Sequence, residues 1–214
     1  MMPKNNLILI GGGGNCESCI EVIEKEDKYK IIGILDKKEK VGTSVSGYNI
    51  ISTDDEIENL IKKNYFFLIT IGQIKSANLR LRLFLKLKEL NASIATIISP
   101  FAYLSKNALI GEGTVIMHGA IVNTGVSIGE NNILNTGCII EHNTRIGSHC
   151  HISTQSVING GCKIEDQVFI GSGAIILHQI EVCRGSVVGA GSIINKNIAK
   201  PGVYVGNPAR MIKV

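Results

Sequence analysis

Five histidines, a run of four glycines and six cysteines are the residues of this sequence whose types could carry chemistry. An imidazole titrates near neutral pH and suits general acid–base work. His142 stands between Glu141 and Asn143. A carboxylate or an amide beside an imidazole can fix its tautomer, and a carboxylate can also raise its basicity. His118, His149 and His178 read as corner or surface residues. The glycines, Gly11 to Gly14, follow the apolar run NLILI (Asn6 to Ile10) and precede a stretch of helical character. A strand, a glycine turn and a helix N-terminus present backbone N–H groups and a dipole to an anion. The dinucleotide fingerprint needs a third glycine, and in the two possible frames Cys16 and Glu17 stand there. The expectation is a phosphate-bearing ligand other than NAD, set against a tight βα turn that binds nothing. Asp36 ends the second apolar run, where such folds hold a ribose or base edge, and it also suits a plain strand-end turn. Gly72 ends the third run on the same edge.

The cysteines offer less. Cys16 and Cys19 form a CxxC, a redox or zinc signature, but no second pair accompanies it and it falls at a helix start. Cys138, Cys150 and Cys162 fall where a small apolar side chain is wanted, so packed thiols are expected and covalent acyl carriers are not. A metal-dependent hydratase would need three converging histidines with a His-x4-His pair. His142, His149 and His151 are spaced seven and two apart, so no metal is expected.

Two kinds of element must position these groups. Up to Pro100, strands alternate with helices: strands near 6–10, 30–35, 66–71 and 93–98, and helices near 16–28, 54–63 and 76–90, the last with Leu79, Leu83, Leu87 and Leu90 in phase. Alternation of this kind indicates a Rossmann-like parallel sheet flanked by helices. From Phe101 to Lys196 the sequence divides into sixteen hexads without insertion, and the fourth place of every one is Leu, Ile or Val. The second place is small, with Asn132 and Ile180 as exceptions. Strand alternation sends places two and four inward and three and five outward, leaving six and one to bend the chain. Three such strands close a triangular coil, and coils stack about 4.8 Å apart into a parallel β-helix. Its fourth-place aliphatics fill the axis. The fold expected is thus α/β + β, with residues 1–100 as a Rossmann-like domain and 101–214 as the β-helix with a tail.

The sixth places form three corner columns. Glu112, Glu130, Ser148, Asp166 and Arg184 read as a solvated charged corner. His118, Thr136, Thr154, Ser172 and Ala190 are mostly small and neutral, and Lys106, Thr124, His142, Gly160, His178 and Lys196 lack charge in their middle turns. That asymmetry suits a three-fold assembly in which one uncharged corner faces a neighbour's other one. The groove would run past Ser172 and Ala190 toward His142, with Gly160 leaving space.

In bulk the chain has 214 residues, 44% of them hydrophobic, and a net charge of +4. It can bury a core. It lacks the Lys/Arg stripe with interleaved aromatics of a nucleic-acid protein, and no apolar run reaches membrane-spanning length. A cytoplasmic location without membrane insertion is expected.

On ILIGGGGN, ILDK and TIG in the first half, ILNTGCIIEHNTRIGSHCHIS in the repeat and VYVGNPAR in the tail, the chain resembles the bacterial sugar-nucleotide acetyltransferases of the NeuD/PglD group. The resemblance implies a left-handed β-helix, a homotrimer and acetyl-CoA as co-substrate, with products that feed glycan biosynthesis. It implies that His142 removes a proton from the acceptor, with Glu141 and Asn143 beside it. It implies that His151, Gly160, Ser172 and Ala190 meet the coenzyme, with VGNPAR near its adenine end. Gly13, Gly14, Asn15, Asp36, Lys37 and Gly72 would surround the nucleotide-sugar. The family often has His where Asn15 stands, and an acid where Asn143 stands. The activity implied is N-acetylation of the 4-amino group of a nucleotide-linked amino-dideoxy sugar. O-acetylation of a sialic-acid-like sugar is the nearest rival, and a non-catalytic sugar-nucleotide sensor a further one.

Overall fold

The computed structural model describes residues 4–73 and 76–213. It divides into two compact units, one drawn from Met1–Gly72 and Asn78–Pro100, the other from Gln73–Ala77 and Phe101–Val214.

The first unit is built around β1 (Asn5–Ile10), where Leu7 to Ile10 are all buried, as a strand covered on both faces requires. β1 pairs in parallel with β2 (Tyr29–Leu35) on one side and β5 (Phe66–Ile69) on the other. Beyond them lie β3 (Ser44–Val45), β4 (Tyr48–Ser52) and β6 (Ser93–Ile94), in the order β3-β4-β2-β1-β5-β6. α1 (Gly14–Glu26) buries Cys16, Cys19, Ile20, Val22 and Ile23 and ends on Asp27 in the left-handed region, φ 58°. α2 (Ile57–Ile61) is short, and α3 (Asn78–Glu89) completes the unit.

Two features depart from the sequence reading. β3 and β4 form an antiparallel hairpin, with β4 parallel to β2. Of β4 only Ile50 is buried, so the period-two signal is faint. In α3 the buried positions are Arg80, Leu83, Phe84 and Leu87, while Leu79 is exposed. The helix turns Arg80 inward because its Nη1 donates to the carbonyls of Ile69 (2.9 Å) and Ile71 (2.6 Å) at the end of β5. Burial brings that guanidinium down to about 10.

The second unit is a parallel β-helix. Each strand is two residues long and occupies places three and four of its hexad, from Tyr103–Leu104 to Ile193–Ile194. Pairing runs in steps of eighteen, as in Val115–Ile133–His151–Phe169–Val187. The fourth-place aliphatics are buried from Ile116 through Ile194. The first place has a positive φ at every hexad from Gly113 to Gly191, and Asn131, Asn143, His149, Gln155, Gln167 and Gln179 adopt it without being glycine. Each accepts that cost because its N–H reaches a sixth-place carbonyl one coil back, as Asn143 does to Thr124 (3.0 Å).

Asn132, the polar exception at the second place, is wholly buried and well bonded. Its Nδ2 donates to the carbonyls of Gly129 (2.8 Å) and Gly147 (2.9 Å), and its Oδ1 accepts from the Cys150 N–H (2.6 Å). The charged corner is not merely solvated. Ser148 Oγ accepts from the Glu130 N–H (3.0 Å), and Asp166 Oδ1 from the Ser148 N–H (2.8 Å), so these side chains tie one coil to the next.

The three outer faces differ. One carries Leu109, Ser127, Arg145, Lys163 and Glu181. Another carries Tyr103, Ile121, Ile139, Val157, Ile175 and Ile193, an aliphatic ladder that is not buried within the chain. After the last hexad, Val203–Gly206 pairs with Val187–Val188 and folds back on Ala209–Lys213. Among the described residues no helix is long and apolar enough to cross a membrane.

Candidate active site

His142 is exposed at a corner of the β-helix, and the coils on either side hold it. Its carbonyl accepts from the Gly161 N–H (2.9 Å). Its ring lies against Gly160: a Cβ built there would sit 2.6 Å from Nε2 and 2.7 Å from Cε1. The absence of a side chain at Gly160 therefore defines where the imidazole can be. Nδ1 is 3.3 Å from Asn143 Nδ2. Glu141 makes no hydrogen bond to His142 among the described residues; its backbone N–H goes to the Ile158 carbonyl (2.9 Å). The amide, not the carboxylate, is thus the neighbour of the ring.

His151 is placed differently. Its ring is buried, Nδ1 is 2.6 Å from the Gln73 carbonyl and Nε2 is 3.2 Å from Asn135 Nδ2. The carbonyl can only accept, so the proton is on Nδ1, and Nε2 takes the amide N–H. With both nitrogens engaged and the Phe169 ring edge-on at 5.3 Å, this imidazole is a strut. Ser172 and Ala190 are exposed on their corner, and Ser172 Oγ is 2.9 Å from Ser153 Oγ. Gly173 and Gly191, which follow them, have no atom within 4 Å of where a Cβ would stand, so this corner is smooth. At the end of the β-helix the tail borders an open pocket of about 270 Å³, lined by Lys196, Tyr204 and Arg210 among others.

In the first unit, Gly11 has φ +104° and a Cβ on it would lie 2.2 Å from Ile71 Cγ1, so only glycine fits. Gly13 and Gly14 have nothing within 4 Å of that position and leave the start of α1 open. Among the described residues no side chain caps that helix. Asp36 closes the loop from the side: Oδ2 accepts from the Gly12 N–H (2.7 Å) and the Lys40 ammonium (3.0 Å), Oδ1 from the Lys37 N–H (2.7 Å). Burial alone would raise this carboxyl, but the hydrogen bonds from Lys37, Lys40 and Gly12 hold it below the usual range. Asn15 Nδ2 donates to the Thr70 carbonyl (2.9 Å), and Gly72 lies beside Asn15 Cβ. The carboxyl edge of the sheet thus gathers Gly13, Gly14, Asn15, Asp36, Lys37 and Gly72. Lys40 and Thr70 belong to the same edge and were not picked out from sequence. Lys40 lies in a short 3-10 turn, and only its spacing of four from Asp36 hinted at the pair.

Four of the thiols lie deep in the chain. Cys16 and Cys19 are buried, and burial pushes them up to about 11 and about 12; Cys138 and Cys150 rise to about 12 for the same reason.

The family profile for the PglD N-terminal domain matches residues 6–87, and that for the bacterial transferase hexapeptide (six repeats) matches 125–160 and 161–196. No curated protein sequence matches the chain. Among solved structures, the chain is similar to a histidine-to-asparagine mutant of perosamine N-acetyltransferase from Caulobacter crescentus in complex with CoA and GDP-perosamine. Identity is 25%, coverage 100% of this chain and 99% of that one, and the TM-score 0.92. The acetyltransferase domain of PglB from Neisseria gonorrhoeae is 27% identical, with 98% and 100% covered and a TM-score of 0.91. The chain belongs to the NeuD/PglD-type sugar acetyltransferases. Its β-helix is of the left-handed kind that this family shares. Membership is carried by both halves at once, since hexads alone would indicate only the wider class of hexapeptide transferases.

Proposed function

We propose that the protein is an acetyl-CoA-dependent N-acetyltransferase acting on the 4-amino group of a nucleotide-linked amino-dideoxy sugar. The observation that carries this is likeness over the full length to a perosamine N-acetyltransferase holding CoA and GDP-perosamine, together with an exposed imidazole fixed against Gly160. The coenzyme fits the corner that carries Ser172 and Ala190, whose glycines leave a smooth path, and Lys196 and Arg210 supply positive charge near the tail. Acetyl-CoA supplies an electrophilic thioester carbonyl. His142 Nε2 takes the proton from the acceptor nitrogen as that nitrogen attacks, Nδ1 facing the Asn143 amide, and the adduct collapses with loss of the CoA thiolate, which takes up a proton. No enzyme nucleophile is required, consistent with thiols that burial keeps protonated. Gly13, Gly14, Asp36, Lys37 and Gly72 hold the nucleotide, the diphosphate being drawn to the open N–H groups at the start of α1. Lys40 joins this set.

The working unit is a homotrimer. One outer face is an aliphatic ladder from Tyr103 to Ile193 while another bears Arg145, Lys163 and Glu181, and water gives no reason for that difference. The corners bounding the apolar face are those of His142 and of Ser172. A three-fold packing on that face brings one chain's His142 to a neighbour's smooth corner.

The test is His142→Ala. Turnover should fall by at least about 100-fold, the scale of a lost general base, while assembly and acetyl-CoA binding stay intact. Normal kcat in this variant removes His142 from the role.

A further inference from the structure

We propose that Asn143 is the positioning residue of His142 and that it sets the imidazole tautomer through an uncharged amide able to turn. This rests on His142 being the base.

Asn143 is the one side chain on Nδ1 among the described residues, at 3.3 Å, and its backbone allows it little freedom. Its φ is 59° and its N–H is bonded to the Thr124 carbonyl. Its Oδ1 lies over Gly125, where a Cβ would come within 2.4 Å. The coil below therefore makes room for this amide, as the coil above makes room for the ring at Gly160. Asparagine tolerates the left-handed region better than most residues, so the backbone and the contact favour the same side chain.

The chemistry follows from the donors. With Nδ2 toward Nδ1, the ring proton sits on Nε2 and that nitrogen cannot accept another. With the amide turned so that Oδ1 receives an Nδ1–H, Nε2 carries its lone pair and is a base. After proton transfer both ring nitrogens bear hydrogen, and only the Oδ1 orientation remains compatible. Half a turn about the terminal torsion of Asn143 thus separates a resting from a reactive ring. A carboxylate at this position would permit only the reactive form and would also stabilise the imidazolium.

Two variants separate this from a structural role. Asn143→Gly keeps the backbone, since Gly125 and Gly161 occupy the same place in the adjoining coils with φ +69° and +71°. It should lower kcat about tenfold, with both KM values and the unfolding midpoint little changed. Asn143→Asp should restore kcat and move the acid limb of the pH–rate profile upward by about half to one unit, on the scale of a nearby opposite charge discounted for exposure. An N143G kcat within twofold of the parent, or an N143D profile that does not move, overturns the inference. His142→Ala is measured alongside. Full activity there refutes the base itself, whereas an inactive H142A with an unmoved N143D profile refutes only the part given to Asn143.

Discussion

Gly160→Ala isolates the geometry of the base more sharply than removal of the base does. The added methyl would stand 2.6 Å from His142 Nε2, 2.7 Å from Cε1 and 3.2 Å from Cδ2. Ordinary carbon–nitrogen contact is about 3.5 Å, so the ring must retreat by about 1 Å. Gly160 does not have a positive φ, so alanine brings no backbone strain. The atoms in the way belong to an exposed side chain that can swing outward, so the fold loses little. Catalysis loses more, because misplacing a reacting group by about 1 Å can cost about 100-fold, equivalent to about 2.7 kcal/mol in the barrier. Steady-state kinetics should show that loss in kcat. Calorimetric titration of CoA should show affinity within a few-fold of the parent, and the unfolding midpoint should move by only a few degrees. A kcat within threefold of the parent refutes the claim that Gly160 places the ring. Loss of CoA affinity with kcat preserved would reassign Gly160 to the coenzyme.

Two further substitutions test the frame around the site. Asn132→Ala removes three buried hydrogen bonds and strands the Cys150 N–H, so chemical denaturation should show a loss of about 3–5 kcal/mol; a loss under about 1 kcal/mol would show that this amide is not integral to the coil. Ile139→Glu places a charge in the middle of the aliphatic ladder without touching the axis. Sedimentation should then report single chains with an unchanged far-ultraviolet spectrum, and a trimer that persists would place the assembly face elsewhere.

The β-helix was legible in the sequence because its constraint is strictly periodic. One aliphatic per hexad fills the axis, and no local event can shift it without turning a whole coil inside out. The position of His142 against Gly160 was legible for the same reason, since residues eighteen apart are stacked by the period itself. What escaped was set by single side chains answering to distant backbone. Arg80 turned inward to two carbonyls of another element, and the hydrophobic phase of its helix then misled by one residue, giving Leu79 the inward place. Lys40 reached Asp36 from a 3-10 turn without periodicity. The two nitrogens of His151 meet Gln73 and Asn135, a pairing no spacing announces.

A regular solenoid, taken alone, makes every coil alike, so a site on it has to be made from departures. Each departure around His142 is supported by another on an adjoining coil. The histidine needs Gly160 above it to lie flat, and the asparagine on its Nδ1 needs Gly125 below it to clear Oδ1. The left-handed backbone that every coil requires at the first place is what turns the Asn143 amide back toward the ring. An acidic residue there would accept the same backbone but fix the ring in one state. The amide leaves two states within reach. If the pH profiles bear it out, basicity in this site is tuned by a torsion of Asn143, with the charge of Glu141 standing apart from the ring.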